Sequence, residues 1–215
     1  MQKVITVRGS ANVKVQPDYV NILIKLETLN VEYGAGMEEA ARRIEALKAA
    51  LKSVNVDPED LRTTDFGVDT EWEWTKDKYG NDKDHVFKGY KIRQSLKFGF
   101  DFDRERMVSI LSAVARSGVD PEFRVQFTVK DKSAVKEELF AKASENARKI
   151  AEGLCRGVGK RLGDILNINY SWQEIDIYHE FDHCCEMDCT AGAAPDINPA
   201  DLDVSDSVTF TWELT

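Results

Sequence analysis

The 215-residue sequence predicts an α+β protein in which about three helices pack on one face of a largely antiparallel sheet. Three observations predict this class. Apolar and polar residues alternate over most of the chain, which is typical of strands with one buried and one solvated face. Three other segments repeat apolar residues at threes and fours, as helices do. The helical segments are interspersed among the strands, in the order strand, strand, helix, strand, strand, helix, strand, helix, strand, strand.

The first part of the chain begins with strands and continues into a helix. Val4–Arg8 and Val13–Gln16 are predicted to form an opening pair. In the strand that follows, alternate positions are apolar, namely Val20, Ile22, Ile24 and Leu26. Residues 31–54 then have helical periodicity, and Asp57-Pro58 after them provides a stop.

Two long alternating segments predict a central hairpin. Residues 65–74 and 90–102 flank a polar connection that contains Tyr79-Gly80-Asn81-Asp82. The outer face of this hairpin sets an acidic strand against a basic one. Because such pairs on a sheet surface contribute only about 0.2–1 kcal/mol each, they favour a solvated, self-complementary surface over a binding face.

The other face and the tip of the hairpin carry aromatic residues. Trp72 and Trp74 fall on the apolar face, so we expect a place in the core or in an interface rather than stacking on a ligand. The tip, Thr75–Val86, has mixed charge and includes Tyr79. The sequence therefore predicts that the tip contacts a partner.

The second part of the chain adds two helices and three strands. Asp103 is predicted to cap a helix that ends at Gly118. A third helix covers residues 133–156, where the small residues Ala143 and Ala147 indicate close approach to a neighbouring element. Strands are predicted over residues 123–129, 166–172 and 208–214.

The charge is concentrated in the last quarter of the chain. The net charge is −9, from 38 acidic and 29 basic residues, but no Lys or Arg follows Arg161. The last 54 residues therefore carry −12 and the first 161 carry +3. This balance argues against a basic face for nucleic acid.

Hydropathy gives an expectation about location. No apolar run is longer than three residues, so neither a transmembrane segment nor a signal peptide is predicted. As written, the sequence predicts a cytoplasmic protein. The cell envelope is the alternative if a leader has been removed.

Residues 174–203 form a long acidic loop without regular periodicity, and connections this long are usually functional, interface-forming or mobile. His179, His183, Cys185 and Cys189 are the candidate ligands of a zinc-like ion, because thiolate and imidazole together suit such a metal. The loop contains no Cys-x-x-Cys pair, so a polar loop with incidental thiols is the alternative. No other cofactor is predicted.

The remaining candidate motifs favour structural roles. Cys184 and Cys185 are adjacent, which disfavours a regular disulfide framework and indicates reduced thiols. Neighbouring acids would raise rather than lower a thiol pKa there, which disfavours a cysteine nucleophile. Cys155 is predicted to pack in the third helix. The glycine-rich segment 157–163 follows a helix, so it indicates a helix end rather than a phosphate loop.

A series of motifs occurs in order along nearly the whole chain. They are Ile5-Thr6-Val7-Arg8-Gly9, Val13-Lys14-Val15-Gln16-Pro17-Asp18, Gly89-Tyr90, the helix end from Ala113 to Gly118, the third helix leading into residues 157–163, and the last strand after Pro195. Together they resemble the SIMPL-domain family, which includes bacterial periplasmic immunogenic proteins. The resemblance implies one α+β domain over residues 1–215, export to the envelope, a loose link to stress tolerance and assembly into oligomers. It carries over no catalytic residues.

These observations lead to two functional hypotheses. The sequence contains no coherent catalytic set, which favours a non-enzymatic SIMPL-type domain that forms a homo-oligomer or binds another protein. The alternative is a metal- or redox-responsive protein that acts through residues 179–189.

The metal hypothesis makes a direct prediction. If the four candidate ligands converge on one ion, protein purified without a polyhistidine tag should contain about one equivalent of a transition metal, measured by elemental analysis. A content below about a tenth of an equivalent would contradict the hypothesis. Thiol titration would then show whether the cysteines are free to react.

Overall fold

The computed structural model describes residues 3–76, 79, 82–170, 177–181 and 198–215. Its elements are β1 (Val4–Val15), β2 (Tyr19–Asn30), α1 (Tyr33–Lys52), β3 (Arg62–Lys76), β4 (Asp82–Asp101), α2 (Arg104–Arg116), β5 (Glu122–Thr128), α3 (Lys132–Gly157), β6 (Leu162–Asn169), β7 (Tyr178–Phe181) and β8 (Leu202–Leu214). The predicted α+β class, element order and central hairpin are confirmed, with β7 as an additional short strand. The predicted opening pair is wrong, because Val4–Val15 is one continuous strand that pairs with β8. Among the described helices, none is long and apolar enough to span a membrane.

The chain divides into two compact units that are each described separately. The first combines Met1–Asp18, Thr128–His179 and Pro199–Thr215, and the second combines Tyr19–Phe127 with Glu180–Asn198. The strands accordingly form two sheets, of three and five strands. Residue alternation does not show this partition. The prediction of one domain over residues 1–215 stays a prediction.

The first unit is a three-stranded antiparallel sheet, ordered β1-β8-β6, with α3 on one face. β1 and β8 pair along their whole length, from Val4 opposite Glu213 to Val15 opposite Leu202. The buried residues against α3 form two clusters along the sheet. The first consists of Val7, Ala143, Ala147, Ala151, Val208, Phe210 and Trp212, and the second of Val13, Val129, Val135, Leu139, Ile177, Leu202 and Val204.

Helix α3 lies unusually close to β1, as its small residues predict. A Cβ built on Gly9 would stand 2.1 Å from the carbonyl oxygen of Ala143 and 2.6 Å from the Cβ of Ala147. Both distances are far below van der Waals contact, so only glycine fits at this position. The alanines on the helix and the glycine on the strand therefore set the spacing between the two layers.

Helix α3 has defined ends. The carboxylate of Asp131 accepts from the backbone N–H of Ser133 and Ala134, at 2.9 and 3.2 Å. At the other end, the N–H of Lys160 donates to the carbonyl of Cys155 at 2.9 Å, and Gly159 takes a φ of +68°. This is the Schellman arrangement, and it confirms that residues 157–163 form a helix end. Cys155 is buried, as predicted.

The outer face of the first sheet is solvated and polar. The hydroxyls of Thr6 and Thr211 lie 3.0 Å apart across β1 and β8. Arg8 donates from Nε and Nη2 to the Oγ of Ser207, at 2.9 and 2.7 Å. The hydrogen bonds between side chains on this face therefore link the two strands without ion pairs at these positions.

The second unit has the sheet order β3-β4-β2-β5, followed by β7, with α1 and α2 on its apolar face. Its core contains the alternating residues that the sequence predicts: Val20, Ile22, Ile24 and Leu26 from β2, and Leu96, Phe98 and Phe100 from β4. The helices contribute Leu47, Leu51, Met107, Ile110 and Val114. Asp103 caps α2 as predicted, accepting from the N–H of Arg106 at 2.7 Å.

The close contact between β1 and α3 predicts opposite effects for two glycine-to-alanine substitutions in the first unit. Gly9→Ala should lower the free energy of unfolding by about 1–3 kcal/mol, because the new methyl overpacks the layer. Gly153→Ala, where a Cβ would meet nothing within 4 Å, should raise it by about 0.5–1 kcal/mol through helix propensity. Urea unfolding measures both. Equal effects of the two substitutions would contradict the packing described here.

Candidate interaction surface

The β3–β4 hairpin extends beyond the rest of its sheet because β4 is longer than β2. β2 pairs with β4 only between Tyr90 and Asp101, whereas β3 pairs with β4 as far as Asp82. Residues 71–76 and 82–89 therefore pair only with each other in the described part of the chain. We call this two-stranded extension the arm.

The base of the arm is set by a bulge and a glycine. The pairing register shifts between Glu71 and Trp72, so that Lys88 has no counterpart on β3. Gly89 next to it has a φ of +147°, and a Cβ there would lie 2.5 Å from the carbonyl oxygen of Asn30. Glycine is required for both reasons. Bulges bend and twist a strand pair, so the arm begins at the point where β2 ends.

Three aromatic rings stack on one face of the arm. Trp74 pairs with His85 across the strands and Trp72 with Phe87, which places these side chains on the same face. The ring centroids of Trp74 and His85 are 4.5 Å apart, with planes at 17°. Those of Trp72 and His85 are 5.1 Å apart, with planes at 30°. The imidazole therefore lies against both indoles.

The stack continues towards helix α1 through edge-to-face contacts. The centroid distances are 5.1 Å from Trp72 to Phe87, 5.4 Å from Phe87 to Tyr90 and 5.6 Å from Tyr90 to Tyr33. These are favourable aromatic geometries. We call the six residues the aromatic row: Tyr33, Trp72, Trp74, His85, Phe87 and Tyr90.

The tryptophans of the row are on the surface. Trp72 is 48% and Trp74 57% exposed. Of the two predicted places, a core is therefore wrong and an interface stays a prediction. The stacked rings cover part of one another's faces and leave the rest of both indoles exposed. Such a ridge suits insertion against an apolar protein surface better than sandwiching a planar ligand between its rings.

The opposite face of the hairpin carries the predicted ladder of charges. Arg93 pairs with Asp69, and Lys88 with Glu73. Lys91 lies 3.4 Å from Glu71 and also contacts the neighbouring strand β2. The acidic strand β3 and the basic strand β4 thus neutralise each other, which confirms the prediction of a self-complementary face.

Glu27 on β2 is the centre of this ladder. Its carboxylate lies 2.9 Å from Lys25 and 3.1 Å from Lys91. Hydrogen bonds from Lys25 and then Lys91 lower the pKa of Glu27. The same hydrogen bonds to Glu27 raise the pKa of both lysines. The charged forms of all three groups are therefore favoured by folding.

The predicted metal ligands cannot be placed with their side chains. His179 lies in β7, where the structure describes its backbone. His183, Cys185 and Cys189 lie outside the described residues. Among the residues that the structure describes, no group of three His, Cys, Asp or Glu could hold a metal ion. The zinc-like site stays a prediction from the sequence.

Sequence reasoning missed three members of the row: Tyr33 on α1, and His85 and Phe87 on β4. Residues up to Val86 were expected in the connecting tip, whereas β4 already begins at Asp82. The sequence did contain a sign of the strand, because His85 and Phe87 are alternate residues and would share a face of an extended strand. The bulge at Lys88 shifts the alternation by one residue before Tyr90, which hides the continuity of the strand.

The fold and this surface define an α+β protein of two antiparallel sheets with a projecting aromatic hairpin. A family model, SIMPL, described as proteins of unknown function (DUF541), matches residues 5–212. The chain therefore belongs to the SIMPL family, as its ordered motifs suggest. No curated protein matches the sequence.

The lowered pKa of Glu27 predicts a pH-dependent loss of stability. A depressed carboxyl pKa contributes stability above its unfolded value, and this contribution disappears as the pH falls through the folded value. Glu27→Gln should therefore lower the free energy of unfolding at neutral pH by about 0.2–1 kcal/mol. In urea titrations, this difference from the unsubstituted protein should shrink towards about pH 3.

A matched substitution controls for the loss of one negative charge. Glu38→Gln, at an exposed position on α1, changes the net charge by the same amount without touching the ladder. An effect of Glu27→Gln that equals the control, or that stays constant from neutral to acid pH, would contradict the role assigned to Glu27.

Proposed function

We propose that this protein is a non-enzymatic SIMPL-type domain that self-associates, with the aromatic row as its contact surface. The observation that carries the proposal is the exposure of Trp72 and Trp74 on an arm that extends beyond its own sheet. A stress-related role, which the resemblance implies, and a cytoplasmic location, with the cell envelope as the alternative, are part of the same proposal.

The energetics of the arm support a contact role. Two-stranded ribbons are marginally stable in water, and here the strands meet without a third strand or a helix assigned over them in the described chain. The stacked rings stabilise the ribbon, but they leave two large apolar side chains half in water. Tryptophan and tyrosine are enriched in interface centres, where burying them contributes most to affinity.

The charge distribution indicates which face makes the contact. On the far side of the hairpin, Asp69, Glu71 and Glu73 are already paired with basic residues of β4. Docking against that face would require desolvation of these pairs, which costs free energy. The aromatic face has no such cost, so the association should weaken little as salt increases.

Substitution of both tryptophans tests the proposal. Trp72→Thr with Trp74→Thr should weaken self-association at least ten-fold, because the apolar ridge is removed while a β-forming residue remains at each position. Light scattering over a concentration series at low and high salt measures the effect. Near-ultraviolet and far-ultraviolet circular dichroism monitor folding.

A substitution on the other face of the arm is the matched control. Val86 is exposed and lies opposite Glu73, on the charged face, so Val86→Thr should leave association unchanged. If the arm itself frays in the double variant, His85→Thr provides a smaller removal of ring contact. A strict monomer at high concentration, or equal association of the double variant and the unsubstituted protein, would reject the proposal.

A further inference from the structure

The sheet of the first unit ends in β6, and no described strand pairs with the outer backbone edge of β6. In the order β1-β8-β6, only β8 lies beside β6 in the part of the chain that the structure describes. An edge strand presents unpaired N–H and C=O groups to one side, which is a template for another strand. The N–H and C=O groups of this edge are therefore suited to bind another extended segment.

The side chains of β6 are apolar and exposed. Ile165, Leu166 and Ile168 are 53%, 44% and 56% exposed. Ile165 and Ile168 lie opposite Trp212 and Phe210 of β8, which are buried in the cluster against α3. The two isoleucines thus continue the apolar face of the sheet beyond its covered part, where an added strand would bury them.

Two of the other edge strands, β1 and β3, carry several charged residues, and β6 does not. β1 carries Arg8 and Lys14 among its exposed residues, and the edge strand β3 carries Asp65, Asp69 and Glu73. Charged residues are the usual means by which edge strands avoid pairing. β6 has one charge, Asp164, at its beginning, and residues 165–169 are neutral.

We propose that β6 pairs antiparallel with β6 of a second copy, joining two three-stranded sheets into one of six strands. A two-fold axis near Asn167 would place Leu166 of one copy opposite Ile168 of the other. The two Asp164 residues would then stand at opposite ends of the strand pair. Because the remaining run is uncharged, self-pairing opposes no like charges, and the same patch serves both copies, as a two-fold interface requires.

This surface deepens the proposed self-association but is separate from the arm. The arm belongs to the second unit and makes contact through side chains, whereas β6 belongs to the first unit and pairs through its backbone. With the axis near Asn167, only residues 165–169 of the two β6 strands overlap. A strand pair this short is smaller than a typical stable interface, so the association should be weak by itself. A chain with both surfaces would form assemblies larger than dimers.

Lysine substitutions on the edge test the strand pairing. Ile168→Lys and Leu166→Lys place a charge at exposed positions, so the fold should tolerate them, and each should weaken β6-mediated dimerisation at least ten-fold. Ile150→Lys, at an exposed apolar position of α3 in the same unit, is the matched control and should have no effect. Sedimentation velocity over a concentration series measures the dimer in the background of the Trp72→Thr, Trp74→Thr variant.

The same background separates the two proposals. A concentration-dependent dimer that persists without the tryptophans and disappears with either lysine supports the β6 interface. A background variant that is monomeric at all concentrations overturns the β6 interface alone, because the arm then accounts for all association. A dimer that survives both lysines also overturns it, since the contact must lie elsewhere.

Hydrogen exchange provides a readout specific to the backbone. Among residues 165–169, the amides that point away from β8 should gain protection as the protein concentration rises, and Ile168→Lys should abolish the gain. The exposed side of an unpaired edge exchanges freely, so protection that is independent of concentration would contradict the proposal even if a dimer forms.

Discussion

The difference in length between β2 and β4 is the constraint on which the candidate surface depends. β2 ends at Asn30, and its last pair to β4 is Tyr90. Immediately beyond, Gly89 accommodates the carbonyl of Asn30 at a distance that no side chain would allow. The chain leaves the sheet for α1 after Asn30, so among the described residues β3 and β4 continue as a pair without a third strand.

The two faces of that strand pair follow from simple alternation. On β3, Trp72 and Trp74 lie on one face, and the alternate residues Glu71 and Glu73 lie on the other. In the rest of the sheet, helices cover the apolar face. In the arm, the described contacts of these side chains are with the other rings of the aromatic row. Lys88, the bulged residue, adds a base to the charged face. The result is a ribbon with an ionic side and an aromatic side, of which the aromatic side has unsatisfied apolar surface.

Local patterns predicted most of this fold. The inward residues of β2 and β4, the caps at Asp103 and residues 157–163, the close approach of Ala143 and Ala147, and the charge ladder are consequences of short-range periodicity or chemistry. The assignment of strands to two sheets depends on pairing between distant segments, which periodicity does not contain. To predict that the tryptophans are exposed, the lengths of the paired strands must also be known. A strand that is covered by helices and a strand that projects beyond the sheet have the same alternation of apolar and polar residues.

The pairing of β1 with β8 has a consequence for how the chain folds. The second unit draws most of its core from one continuous segment, Tyr19–Phe127, whereas the first unit needs strands from opposite ends of the chain. During synthesis from the N-terminus, β1 cannot pair until β8 has been made. Until then, β8 also does not cover the apolar face of α3. Long-range closure of this kind is slow relative to local contacts. We therefore expect the second unit to form early and the pairing of β1 with β8 to complete the fold.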